Sequence, residues 1–100
     1  MRGIVIDPGA KPELYRLPDT LQELQRFMGG YAQRCPISNR FAALFYLPQA
    51  GQSLPTRHYQ GRWFYGRLCL VGWRNARMTD LPMPLAEELL QKFTPVEVTL

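Results

Sequence analysis

Residues 41–47, FAALFYL, form an apolar run with no polar face. A segment this short with nothing to offer water reads as a strand in the middle of a sheet. The rest of the chain has to be arranged around it. RGIVI at 2–6 reads as a first strand, closed by the turn punctuation DPGAKP, in which Pro fixes φ and Gly accepts φ > 0. ELYRL at 13–17 alternates and pairs back as a hairpin. YAQRCPI is a strand whose Pro36 places that end at an edge or bulge. RWFYGRLCLVGW reads as the longest strand, with Phe64, Gly66, Leu68 and Leu70 on a core face and Trp63, Tyr65, Arg67, Cys69 and Val71 on a mixed one. VEVTL at the end is a short edge strand or a tail.

Two helices complete the pattern. Thr20 and Glu23 form a T-x-x-E capping box, Leu21, Leu24, Phe27 and Met28 make an apolar stripe, and Gly29-Gly30 closes the helix. The second opens near Pro84, carries Leu85, Leu89, Leu90 and Phe93 on one stripe, and stops at Thr94-Pro95. The predicted class is α+β: a mostly antiparallel sheet of about five strands with both helices packed on one face. The expected core is Leu21, Leu24, Phe27, Phe41, Leu44, Phe45, Leu68, Leu70, Leu89 and Phe93. At 100 residues, with no repeats or linkers, the chain reads as one compact domain spanning 1–100. No apolar run is long enough for a membrane span or a signal peptide, so a cytoplasmic location is expected.

Charge is distributed unevenly. The net charge is +4, and no Asp or Glu occurs between residues 24 and 79. That stretch holds Arg26, Arg34, Arg40, Arg57, Arg62, Arg67, Arg74 and Arg77 and no lysine. Arginine offers a planar fork that grips phosphate bidentately and stacks on rings. The densest part is RHYQGRWFYGR, residues 57–67. Rings interleaved with guanidinium groups suit a ligand that is both flat and negatively charged. The candidate ligand-binding residues are therefore Arg57, His58, Tyr59, Arg62, Trp63, Tyr65, Arg67, Arg74 and Arg77. Two plainer readings stand beside this one: arginines on a solvated sheet face, and rings that pack a core or a self-association surface.

Catalysis has little support. His58 is the single histidine, its neighbours supply no orienting carboxylate, and the basic region has no carboxylate pair. PGAKP lacks the spacing of a phosphate-wrapping loop. Cys35 and Cys69 with His58 do not make up the four soft ligands of a structural zinc, so neither metal nor cofactor is expected.

The opening M-R-G-I-V-I-D-P-G-A-K-P and the helix ending F-M-G-G-Y resemble a family of small uncharacterised domains encoded by phages, plasmids and bacterial chromosomes. L-P-T-R-H, Y-G-R-L-C-L-V-G and the closing E-E-L-L-Q-K-F extend the likeness over nearly the whole chain. L-P-Q-A-G-Q departs from it, standing where the family has an acidic, Asn-containing turn. The resemblance implies a mobile-element protein and brings no established activity. The expected function is a non-catalytic binder that sequesters a nucleotide-type anion such as a host immune signalling molecule. The alternatives are a nucleic-acid binder and a protein–protein inhibitor of a host factor. Self-association into a homo-oligomer is also expected, because shared pockets would use rings that one thin core does not need.

Overall fold

A computed structural model describes residues 1–100. The elements in order are β1 (Arg2–Ile6), β2 (Glu13–Arg16), α1 (Leu21–Met28), β3 (Gln33–Pro36), β4 (Ala42–Tyr46), β5 (Pro55–Tyr59), β6 (Arg62–Tyr65), β7 (Leu68–Arg74), β8 (Arg77–Thr79), α2 (Met83–Lys92) and β9 (Glu97–Val98). The main sheet runs β2-β1-β7-β4-β3, all antiparallel, with β8 also paired to β7. A second sheet, β6-β5-β9, joins an antiparallel hairpin to a parallel edge strand. The α+β class and the mostly antiparallel sheet are as expected. The FAALFYL strand β4 is internal, and Pro36 ends the edge strand β3.

The helices do not share a face. Ile4, Ile6, Leu44, Leu68 and Leu70 point to the side covered by Ala86, Leu89 and Phe93 of α2, together with Tyr59, Phe64 and Val98 of the small sheet. Val5, Ala43, Phe45, Cys69 and Val71 point to the other side, where Leu24 and Met28 of α1 and Leu17 cover them. The physical reason lies in the strands. Side chains alternate faces, and β1, β4 and β7 are apolar at successive positions, so each face needs its own cover. The mixed face expected for β7 is a second core. Phe41 and Leu21, expected inside, are each 45% exposed, and the other expected core residues are buried apart from half-buried Phe27.

The run RWFYGRLCLVGW is two strands in two sheets. Gly66 divides it at φ 74, a left-handed conformation that a side chain disfavours. Its carbonyl accepts from the Thr56 hydroxyl and its N–H donates to Leu54 O at 3.1 Å, so both groups are satisfied at the break. The Thr20 half of the capping box is present, with Thr20 Oγ1 accepting from Glu23 N at 3.2 Å, and Gly29 closes the helix at φ 101. No helix is long and apolar enough to cross a membrane.

The β7–β8 hairpin turns on Asn75 and Ala76, both at positive φ, 51 and 58. Such a two-residue turn follows the twist of its strands, but the second position normally takes glycine. Ala76→Gly should therefore raise stability by about 0.5–1 kcal/mol, because relief of the left-handed strain exceeds the added unfolded-state entropy. Urea unfolding of the two proteins checks this; a loss of stability would contradict the turn geometry.

Candidate ligand groove

The RHYQGRWFYGR cluster is divided by the fold. Arg57 is 2% exposed. Its Nε donates to Phe93 O at 2.7 Å, one terminal nitrogen to Thr56 O and the other to Ala10 O, each at 2.6 Å. Burial pushes its pKa down. It is a structural residue and leaves the ligand-binding set. Tyr59, also expected there, is buried beside Phe93 with ring centroids 6.2 Å apart. Its hydroxyl has no hydrogen-bond partner, and burial, with Cys35 nearby, raises its pKa.

Arg67 leaves the set too. It forms a fork on Asp7, with Nε to Oδ1 at 2.7 Å and a terminal nitrogen to Oδ2 at 3.2 Å, while its other terminal nitrogen donates to Phe27 O at 3.1 Å. Its guanidinium also lies 4.5 Å from the Phe27 ring centroid. The hydrogen bond to Asp7 raises its pKa further. The carboxylate comes from beyond the acid-free stretch, 60 positions away in sequence.

His58, Arg62, Trp63 and Tyr65 remain together on the small sheet. His58 Nδ1 faces Glu97 Oε2 across the parallel pair β5–β9, and its ring meets Trp63 edge-on at 5.0 Å. Arg62 is exposed and packs against the Tyr46 and Phe64 rings, which touch each other edge-on, with its guanidinium 4.6 and 4.4 Å from their centroids. Trp63 is 46% exposed. His58, Trp63 and Tyr65 share one face of the hairpin, whereas Arg62 lies on the other face with Phe64, its guanidinium already held by rings.

Arg74 and Arg77 lie elsewhere, at the end of the β7–β8 hairpin. Beside them a groove of about 520 Å³ opens on the α1 side of the main sheet. Tyr31, Arg34, Phe45, Trp73, Arg77 and Met78 line it, with Asp19 and Leu21. The register explains the grouping. Arg34 stands opposite Phe45 and Phe45 opposite Cys69, so Arg34, Phe45 and Trp73 share one face across three strands. The Arg34 guanidinium sits 4.6 Å from the Trp73 ring centroid. Neither Arg34 nor Arg77 has a carboxylate within ion-pairing distance. Asp19 is paired with the N-terminal amine at 2.8 Å, which lowers its pKa.

Tyr31, Arg34 and Trp73 are the residues that the candidate set leaves out. Arg34 and Trp73 are visible in the sequence as a basic residue and a ring, but 39 positions separate them and only strand register brings them together. No family model matches the chain, and no curated protein or solved structure matches it either.

Replacing Arg57 by Met should cost about 2–4 kcal/mol, because buried carbonyls lose their donor. Chemical denaturation checks the loss. An unchanged midpoint would return Arg57 to the surface set.

Proposed function

We propose that the protein is a non-catalytic binder of a nucleotide-type anion, held in the groove beside the β7–β8 hairpin. The observation that carries this reading is Arg34 seated over Trp73 in a groove shared with Arg77, with neither arginine ion-paired. Guanidinium groups without acidic partners attract phosphate, which they grip in bidentate fashion. A base needs flat apolar walls, and the exposed ring of Tyr31 with half-buried Trp73 and Met78 lines the groove, with buried Phe45 at its floor. The groove volume falls within the range of pockets that hold small ligands.

The groove contains no histidine or cysteine, and its one carboxylate is engaged by the N-terminal amine. That composition suits binding rather than proton transfer. The biological setting proposed with this reading is a mobile-element protein that sequesters a host signalling nucleotide.

Equilibrium binding of mononucleotides and cyclic dinucleotides at low and high salt tests the reading. Arg34→Ala and Arg77→Ala should weaken binding and flatten its salt dependence. Tyr31→Ala should cost ~1–3 kcal/mol and leave the salt dependence intact. Affinity that keeps rising as a strand lengthens past several nucleotides would point to nucleic acid instead. Failure of every nucleotide to bind at low salt would end the nucleotide reading.

A further inference from the structure

The main sheet has two open edges, β2 and β3. Pro36 ends β3, and a proline blunts an edge because it has no N–H to offer another strand. β2 has no such guard: its residues Glu13–Arg16 include neither proline nor lysine, and all are exposed. The direction of its backbone groups follows from the pair at its end. Met1 N donates to Leu17 O at 2.6 Å, and Leu17 N donates to Met1 O at 2.7 Å. Pairs that exchange bonds alternate with pairs that do not along an antiparallel ladder, so Tyr15 and Glu13 bond inward to Gly3 and Val5. The N–H and C=O groups of Leu14 and Arg16 therefore point away from β1, to the open edge.

Large apolar side chains are exposed on the same strand. Leu14 pairs with Ile4 and lies on the α2 side, whereas Tyr15 lies on the α1 side with its ring 5.2 Å from that of Phe27. A groove of about 370 Å³, lined by Arg2, Leu14, Tyr15, Arg16 and Asp80, opens beside them. The chain itself leaves this edge uncovered.

We propose that β2 is the interface of a twofold dimer, in which it pairs antiparallel with β2 of a second copy about an axis through Tyr15. Leu14 then stands opposite Arg16 of the second copy, and each such pair exchanges two hydrogen bonds. Every outward-facing backbone group of the strand is used. An axis normal to the sheet keeps each side chain on its own face, so the neighbouring register is centred on Leu14. That one sets Arg16 opposite Pro12, which has no N–H, and leaves the Arg16 carbonyl unpaired. Centring on Tyr15 also sets the two Tyr15 rings side by side at a position without bond exchange, where side chains approach most closely. With Phe27 behind each, they make a continuous row of rings on the α1 side. The two Arg16 side chains are diagonal neighbours on the α2 side, exposed to solvent that screens their repulsion. The backbone groups that need a partner and the rings that need cover lie on one self-complementary strand, so the occupant is a second copy of this chain.

Sedimentation equilibrium of the unsubstituted protein should show a monomer–dimer equilibrium with a Kd of about 1–100 µM, as suits a small interface. Leu14→Pro removes an N–H that β1 does not use and should weaken the dimer at least about tenfold. Tyr15→Lys keeps the backbone intact and sets like charges opposite each other across the axis, with a loss of at least the same size. It decides the question if circular dichroism shows Leu14→Pro unfolded. Oxidative cross-linking in a Cys35→Ser background, where the remaining Cys69 is buried, checks the register. Tyr15→Cys should give a disulfide-linked dimer, and Glu13→Cys should not, because its two copies stand about four residue rises apart along the strands. A protein that is monomeric throughout this concentration range, a dimer that a folded variant leaves intact, or cross-linking through Glu13→Cys in place of Tyr15→Cys overturns the proposal.

Discussion

Three carbonyl oxygens converge on the guanidinium of Arg57, from Ala10, Thr56 and Phe93. They belong to the β1–β2 connection, to β5 itself and to the residue that caps α2. The small sheet has strands of four, five and two residues, too little pairing to stand alone in water. Its attachment comes from Tyr59, Phe64 and Val98 in the α2-side core and from this one side chain. Arginine suits the position because its donors point in several directions from a rigid plane, which a lysine ammonium on a flexible stem does not reproduce. The carbonyl at the end of α2 adds the negative end of the helix dipole.

The same residue type fills three kinds of role in this chain. Arg57 is consumed by buried carbonyls and Arg67 by Asp7 and the Phe27 ring. Arg62 is laid against both Tyr46 and Phe64. Arg34, stacked on Trp73, and Arg74 and Arg77 border the grooves around that ring, and like Arg62 they have no carboxylate within ion-pairing distance. Density of basic and aromatic residues in the sequence therefore marks where the fold uses arginine internally. Availability for a ligand depends on which arginines the fold leaves unpaired.

Local signals were readable in the sequence. The Thr20 cap, the Gly29 stop, the internal position of FAALFYL and the edge position of Pro36 all depend on neighbours a few residues apart. The apolar character of β1, β4 and β7 at successive positions also implied cover on both faces, which the one-face arrangement of helices did not honour. What stayed hidden depends on long-range pairing. Arg67 looked free because Asp7 lies 60 positions away. Alternation ran without a break through Gly66, so two strands in different sheets read as one. Arg34 and Trp73 meet only through the β3–β4–β7 register, and no short-range pattern encodes that meeting.

Two indole N–H groups, Trp63 on the small sheet and Trp73 beside the groove, give two separate probes in a ¹H–¹⁵N correlation spectrum. Titration with AMP at low salt follows both in one sample. The Trp73 resonance should move progressively and saturate while the Trp63 resonance stays in place. Movement of Trp63 with Trp73 unaffected would contradict the account and put the ligand on RHYQGRWFYGR after all.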